Sequence, residues 1–269
     1  MTLLGIKIHS DSQQIRRGVK KMKRYSVFLT LVLTFFMVTV AFAGTNYNAQ
    51  FPAKVTLDGN LNEWGGAEFI LVPHDKGTGP APSDADASLK FAVLADDKWL
   101  YVAIDITDDV IKSGETDDWQ DDSVEVYIDA NHARTATYEN DDAQITIGAG
   151  NIGGNIQKPK ITGSTGAADI GVQAAVVKKT GGWIVESAIP LKCTKWDIKP
   201  EIGKVIGFNV HFNDDDDGAG RDYKLIWSDL DIDDTSWNNP ARFADLTFVA
   251  LISAVQPSEK LATTWGSIK

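Results

Sequence analysis

The chain has 269 residues, of which 43% are hydrophobic and 23% are charged. These fractions are typical of a globular protein and exclude a largely disordered, collagen-like or coiled-coil chain. The single cysteine, Cys193, excludes an internal disulfide, and its apolar surroundings favour a buried small side chain over a reactive thiol.

The N-terminal segment has the pattern of an export signal. An apolar run over residues 27–43 follows a basic stretch and ends in a small-x-small cleavage pattern. A single membrane anchor is the alternative, although the run is short for one. We therefore predict an N-terminal extension plus signal peptide over residues 1–43. The mature protein is then expected to be secreted, extracellular or periplasmic, without membrane contact after cleavage.

Removal of residues 1–43 changes the charge of the chain. That segment holds seven of the 26 basic residues and one of the 37 acidic residues, so the remainder carries 19 basic and 36 acidic residues, a net charge of −17. Such a surface repels phosphate backbones, which makes nucleic acid a poor partner, and it suits divalent cations or neutral ligands. Metal ions often stabilise exported chains that lack disulfides.

Strand patterns dominate the predicted mature domain, residues 44–252. Apolar runs with a period of two or with β-branched residues occur at 53–57, 69–72, 89–95, 100–106, 123–129, 143–147, 170–177, 183–189, 205–212, 225–227 and 246–251. About eleven strands separated by turn residues predict an all-β fold, an antiparallel β-sandwich of the jelly-roll or immunoglobulin-like type. Residues 148–166 are predicted as a long loop, and residues 253–269 as a C-terminal tail.

Strand alternation predicts which side chains share a face. In strand 123–129 the apolar residues Val124 and Val126 lie on one face and Glu125 on the other. In strand 205–212 an apolar row lies opposite Asn209 and His211. One face is expected to pack the sandwich and the other to present a platform for a ligand.

Two tryptophans occur in polar, acidic segments that are predicted as loops. Trp119 lies in WQDDSVE and Trp237 in DDTSWNN. Indole is costly to expose among charges unless something stacks on it. With the outward residues Glu125, Gln144 and His211, the pair has the side chains that a pyranose needs, namely aromatic faces for its C–H groups and polar groups for its hydroxyls. The alternative is that each tryptophan folds back to cap an edge of the sandwich.

Paired aspartates recur along the chain. Calcium prefers about six to eight oxygen ligands, so we predict at least one structural calcium ion, with Asp108, Asp122 and Asp214 as ligands. Residues 213–218 resemble the start of an EF-hand loop, but the twelfth position is Lys224 instead of Glu, which excludes an EF-hand.

Catalysis is not expected. A glycosidase needs two carboxylates at a fixed separation, and the spacing of Asp121, Asp122 and Glu125 along one segment does not establish that geometry. The histidines after residue 43 are scattered and lack a nucleophile context. The sequence also has no phosphate-binding glycine loop and no zinc-ligand spacing.

Seven segments, in order along the chain, resemble the family 9 carbohydrate-binding modules of secreted enzymes that degrade plant polysaccharides, within the DOMON-like β-sandwich group. They are VTLDGNLNEW (55–64), WLYVAIDITDD (99–109), WQDDSVEVYID (119–129), YENDDAQ (138–144), GGWIVESAIP (181–190), VIGFNVHFND (205–214), and WSD with SWNNPARFADL (227–246). Together they span nearly all of residues 50–249.

The resemblance implies a role for several residues. Trp119 and Trp237 would sandwich a terminal sugar of the glucose or xylose type, and Glu125 would hydrogen-bond its hydroxyls. It also implies structural calcium. The ligand would be a plant-type polysaccharide or oligosaccharide such as xylan or cellulose, and a separate glycoside hydrolase is a candidate partner.

The chain departs from the family pattern at two positions. Thr146 stands where the family has a site arginine, and Asp234 stands where it has an asparagine before the second tryptophan. Arg221 remains as a candidate second sugar-facing base. The resemblance therefore does not imply the family's preference for reducing ends.

Two other functions belong to different classes. A haem-binding DOMON-type redox domain would need iron ligands, but all three methionines fall in the predicted signal and only a pairing of His211 with a lysine is left, so no haem is expected. A sandwich that binds protein without catalysis is the other alternative, and it would have Trp119 and Trp237 buried.

Overall fold

Thirteen β-strands and four short 3₁₀ helices form the described part of the chain, residues 45–251, in the computed structural model of the protein. The strands are β1 (Asn46–Phe51), β2 (Ile70–Leu71), β3 (Gly77–Thr78), β4 (Ala87–Ala95), β5 (Trp99–Asp108), β6 (Ser123–Asp129), β7 (Asp142–Gly148), β8 (Ile161–Thr162), β9 (Gln173–Lys179), β10 (Gly182–Pro190), β11 (Val205–Asp214), β12 (Tyr223–Ile226) and β13 (Ala244–Ala250). The 3₁₀ helices are Leu61–Trp64, Ala149–Asn151, Ala167–Ile170 and Pro240–Arg242.

The predicted signal peptide (residues 1–43) and the predicted tail (residues 253–269) lie outside the described residues. Among the residues that are described, no helix has the length and apolar character needed to cross a membrane.

One continuous hydrogen-bonded path joins most of the strands, in the order β8-β7-β6-β11-β13-β1-β4-β5-β10-β9. The short strands branch from it: β12 pairs with β11 and β3, and β2 pairs with β4. Nearly all pairs are antiparallel, as predicted. The exception is β1, which runs parallel to both of its neighbours, β13 and β4.

The two halves of this path pack face to face. The ring centroid of Phe91 on β4 lies 6.1 Å from that of Phe208 on β11, and Trp183 on β10 lies 6.3 Å from Phe212 on β11. Since β4 and β10 belong to one half of the path and β11 to the other, these aromatic pairs bridge two layers. The apolar faces predicted from alternation fill the space between them, and the predicted β-sandwich is confirmed.

Strands with strong alternation lie where the sequence predicts them, and β6 has the predicted bounds. The predicted strand at 53–57 is wrong: the backbone there forms no strand, and Val55 and Leu57 instead pack against the buried cluster that contains Trp64. The predicted strand at 170–177 begins with part of a 3₁₀ helix. The sequence does not predict strand β1, because its mixed sequence NYNAQF has no β-branched residue.

The polar faces of β6 and β11 are covered. The outward side chains of Glu125, Tyr127, Asn209 and His211 are at most 1% exposed. The connection between β12 and β13 lies over them. In that connection the Ser236 hydroxyl accepts a hydrogen bond from the Asn209 amide at 3.0 Å. The polar face that was predicted to be an open platform for a ligand therefore lies beneath loops.

Phe91 lies at the centre of the packing between layers, next to Tyr47, Phe208 and Trp227. Phe91→Ala should lower the free energy of unfolding by about 3–5 kcal/mol, because it removes apolar contacts and leaves a cavity. Leu71→Ala, at a side chain that is 62% exposed, is the control and should change it by less than about 0.5 kcal/mol. Denaturant unfolding of both variants tests this; equal losses would contradict the two-layer core.

Candidate ligand-binding cleft

A cleft of about 550 Å³ opens on the outer face of β6, β7 and β12. This volume falls within the range of roughly 300–1,000 Å³ found for small-ligand sites. Strands β6, β7, β8 and β12 contribute Glu125, Gln144, Thr146, Thr162 and Lys224 to its lining, and the surrounding loops contribute the rest. Three of the predicted site residues, Trp119, Arg221 and Trp237, lie on those loops.

The two tryptophans line the same cleft and both are open to solvent. Trp119, in the connection between β5 and β6, is 45% exposed, and Trp237, in the connection between β12 and β13, is 52% exposed. Neither ring is folded back into the core. This is the arrangement expected of ligand-stacking side chains, and it differs from the buried rings expected of the protein-binding alternative.

The segment that carries Trp119 is fixed by its own polar groups. The Asp121 carboxylate accepts hydrogen bonds from the backbone N–H groups of Gly114 and Glu115, at 3.0 Å each. The guanidinium of Arg221 lies 5.4 Å from the centre of the Trp119 ring, in cation–π contact. These contacts order an exposed indole before any ligand arrives.

The loop that carries Trp237 is held in a similar way. The buried Asp231 carboxylate accepts hydrogen bonds from the N–H groups of Thr235, at 2.7 Å, and Ser236, at 3.3 Å. The Ser164 hydroxyl donates to the carbonyl of Trp237 at 3.3 Å. Both tryptophans are thus presented by loops that are braced from below.

Glu125 lies at the centre of the cleft floor. The Gln144 amide donates to its Oε1 at 3.1 Å, and the Lys224 ammonium lies 2.9 Å from its Oε2. Burial alone would raise the pKa of Glu125, but Lys224 and His211 together hold that pKa well below its ordinary value. The carboxylate is therefore ionised and acts as a fixed hydrogen-bond acceptor.

His211 does not line the cleft, and the prediction that it faces a ligand requires correction. It is fully buried behind Glu125, with Nδ1 3.3 Å from Glu125 Oε2 and Nε2 3.2 Å from Asp231 Oδ2. Alternation placed it on the correct face of β11, but the loop that covers this face separates it from solvent. Burial would raise the pKa of Asp231, yet His211 and the loop hydrogen bonds lower it to about 2.

The two positions at which the chain departs from the family pattern both lie in the cleft. Thr146 on β7 is paired in register with Glu125 on β6. Asp234 has a φ of 50°, in the left-handed region, and its carboxylate lies 2.9 Å from Lys224 and 3.5 Å from Arg221. Aspartate tolerates this backbone conformation better than most residues.

The sequence does not predict two parts of the cleft, namely the wall formed by residues 162–164 and the cation Lys224. Thr162, Gly163 and Ser164 line it, although they fall in the predicted loop. At Gly163 the φ is +117°, and a Cβ atom would lie 2.0 Å from the carbonyl oxygen of Gln144, so only glycine fits. Lys224 entered the sequence argument only as a residue that excludes an EF-hand; its position on a strand beside a buried acid was the available signal.

The three predicted calcium ligands come together away from the cleft lining. Oxygens of Asp108, Asp122 and Asp214 lie within 4.8 Å of one another, and all three side chains are buried. Burial and neighbouring carboxylates raise the pKa of Asp108 to about 6 and those of Asp122 and Asp214 to about 8. Over residues 45–251 no lysine or arginine pairs with any of them. Such a donor set fits a hard divalent cation.

The fold and the cleft define a β-sandwich that presents exposed aromatic side chains over a polar floor. The chain belongs to the family described as carbohydrate family 9 binding domain-like, whose model matches residues 57–251.

Related proteins are polysaccharide-degrading enzymes and binding modules. The chain is 34% identical over 222 residues to endo-1,4-beta-xylanase A of Thermotoga maritima, covering 82% of this chain and 18% of that one. It is 33% identical over 178 residues to exoglucanase XynX of Acetivibrio thermocellus, covering 66% and 15%. The chain thus spans less than a fifth of these curated relatives.

Two solved structures share the fold. A family 9 carbohydrate-binding module from Caldicellulosiruptor kristjanssonii in complex with cellotriose has a TM-score of 0.65 and 23% identity, covering 79% of this chain and 98% of that one. The module in complex with glucose has a TM-score of 0.65 and 22% identity, covering 79% and 100%.

The buried position of His211 between two carboxylates leads to a prediction. His211→Ala should lower the free energy of unfolding by about 3–5 kcal/mol, because it removes the only basic side chain that contacts the buried Asp231 within residues 45–251 and leaves Glu125 with Lys224 alone. His132→Ala is the matched control: His132 also contacts a carboxylate, Asp245, at 2.8 Å, but both are about one-third exposed. Its effect should stay below about 1 kcal/mol. Similar losses in urea unfolding would contradict this account.

Proposed function

We propose that the protein binds the end of a neutral oligosaccharide or polysaccharide of the glucose or xylose type without acting on it. Trp119 and Trp237 stack on opposite faces of the sugar ring, and Glu125, Gln144 and Lys224 hydrogen-bond its hydroxyls. The observation that carries this proposal is that two solvent-exposed indoles, 118 positions apart in the chain, line one cleft.

The chemistry of the floor supports binding over catalysis. A glycosidase requires a carboxylic acid that is protonated at working pH and can donate to the leaving group. Glu125, the acid at the centre of the floor, has a lowered pKa because Lys224 and His211 stabilise its anion. An ionised, hydrogen-bonded carboxylate suits the recognition of hydroxyl groups and cannot serve as a proton donor.

The relatives support the choice of ligand. The solved modules that share the fold were obtained with cellotriose and with glucose, and the curated relatives are named as xylanases and an exoglucanase. Glucose and xylose in these polymers are uncharged and present flat faces to an indole. We also propose that the mature protein is secreted and acts beside a separate glycoside hydrolase.

Calcium is the second part of the proposal. We propose that Asp108, Asp122 and Asp214 hold one structural calcium ion. They come from the end of β5, the residue before β6 and the end of β11, so a bound cation joins strands of both layers. In an exported chain without a disulfide, this ion would cross-link the sandwich next to the segment that carries Trp119.

Replacement of either stacking tryptophan tests the sugar site. Trp119→Ala and Trp237→Ala should each weaken binding of cellotriose or xylotriose by about 1–3 kcal/mol or more, roughly a 5- to 150-fold loss, because the sugar loses an aromatic face. Ile232→Ala is the matched control: Ile232 lies on the same loop as Trp237 and is 76% exposed, but does not line the cleft. Calorimetric titration that gave the two tryptophan variants the affinity of this control would remove the proposal.

The calcium site makes stability depend on pH. Without an ion, the raised pKa values mean that the folded protein holds protons that the unfolded chain releases from about pH 4 upwards. Metal-free protein should therefore lose stability as the pH rises from about 4 to 8. Calcium takes the place of these protons, so it should raise the melting temperature strongly at pH 8 and only weakly at pH 5.

Scanning calorimetry with chelator and with calcium at both pH values measures this effect. Asp214→Asn should reduce the response to calcium, whereas Asp97→Asn, at an exposed turn between β4 and β5, should retain it. The same melting temperature with chelator and with calcium at pH 8 would exclude the proposed ion.

A further inference from the structure

We propose that the cleft discriminates sugar ends by charge: it binds amino sugars more tightly, and uronates more weakly, than their neutral counterparts. Asp117 is the residue that sets this selectivity. The inference rests on the proposed function and extends it to the charge of the ligand. It depends on which charged groups in the cleft are already paired and which are free.

The charge of the first cation in the cleft, Lys224, is already balanced by carboxylates. Its side chain is only 3% exposed, and its ammonium lies 2.9 Å from Glu125 and 2.9 Å from Asp234. One positive charge between two carboxylates has no surplus for a third anion. A carboxylate on a ligand would have to compete with two buried partners that are already in place.

The second cation, Arg221, is also occupied. Its guanidinium donates to the Asn213 side-chain oxygen at 3.1 Å, lies 3.5 Å from the Asp234 carboxylate, and contacts the ring of Trp119. Its charge is balanced by Asp234, and its planar face supports the stacking tryptophan. To bind a uronate, Arg221 would have to give up contacts that hold the cleft together.

The two acidic residues Asp117 and Asp118 differ in whether a cation balances their charge. Asp118 is buried and bonded to the Lys160 ammonium, at 2.6 Å, and to the Thr162 hydroxyl, at 3.0 Å. Its neighbour Asp117 also lines the cleft, but it is exposed, and its carboxylate has no hydrogen bond or ion pair within residues 45–251. The charge that remains free at the cleft is therefore a negative one.

The unpaired carboxylate of Asp117, two residues before Trp119, interacts electrostatically with any charged sugar that stacks on the Trp119 ring. A uronate carboxylate would meet this like charge without a free cation to offset it, whereas an ammonium group would gain a partner. In a water-like dielectric, two unit charges about 5 Å apart interact strongly enough to change affinity by roughly threefold to fivefold. The effect is screened by salt because Asp117 is exposed to solvent.

Three disaccharides that differ mainly in charge test this inference on the whole protein. They are cellobiose, the β-1,4-linked disaccharide of glucosamine at a pH where its amine is protonated, and cellobiouronic acid. At low salt the amino sugar should bind roughly threefold to fivefold more tightly than cellobiose, and the uronate more weakly by a similar factor. Both ratios should approach one in 1 M salt, where the screening length is about 3 Å.

Two variants separate the role of Asp117 from that of overall charge. Asp117→Asn should bring both ratios close to one, each measured against that variant's own affinity for cellobiose. Asp97→Asn removes the same charge at an exposed turn outside the cleft and should keep the ratios of the unmodified protein. Selectivity that Asp117→Asn leaves intact, or a uronate that binds as tightly as cellobiose, would overturn the inference.

The outcomes distinguish this inference from the proposed function. If cellobiose binds and the three sugars have equal affinities, the proposed sugar site is supported and the inferred charge selectivity is wrong. If neither these sugars nor xylotriose bind, or if Trp119→Ala keeps the affinity of the unmodified protein, the proposed sugar site is wrong and the inference is wrong with it.

Discussion

The pairing of Glu125 with Lys224 beneath the cleft is the interaction on which the rest of the site depends. A carboxylate that is 1% exposed would be protonated or would unfold its surroundings unless a cation compensated it. Lys224 does so from β12, which is separated from β6 by β11, and it reaches Asp234 at the same time. His211 extends the network to Asp231, which braces the loop of Trp237. The charged residues of the cleft floor and the loop that carries Trp237 are therefore connected by one network of ion pairs and hydrogen bonds.

Much of the fold could be predicted because period-two patterns are strong where both layers bury one face. Strand β6 alternates Val124, Val126 and Ile128 with polar residues, and its bounds match the prediction. The errors occur where tertiary contacts override local pattern. Residues 53–57 have the pattern of a strand, but Val55 and Leu57 pack against the buried cluster that contains Trp64, and their backbone does not pair with another strand. Strand β1 has a weak pattern and forms because β13 and β4 provide partners.

Part of the candidate site could be predicted from the sequence. Trp119 and Trp237 could be selected because indoles in acidic loops are unusual, and Asp108, Asp122 and Asp214 because paired aspartates are dense. Strand alternation predicts which face of β11 carries His211, but not which loop covers that face. His211 was therefore predicted to face a ligand, whereas the structure shows it buried. The ion pairs of Lys224 and the wall at Gly163 depend on register between strands that are distant in sequence, which no local pattern specifies.

The parallel position of β1 has a consequence for the order of assembly. Its six residues pair along their full length with β13, about 200 positions later, and touch β4 at a single register position, Gln50 with Leu94. Closing so long a loop is entropically costly and is repaid only when both ends are present. During synthesis, β1 therefore has to wait for β13, and the hydrogen-bonded path that runs from β13 through β1 to β4 closes only after nearly all of the domain has been made.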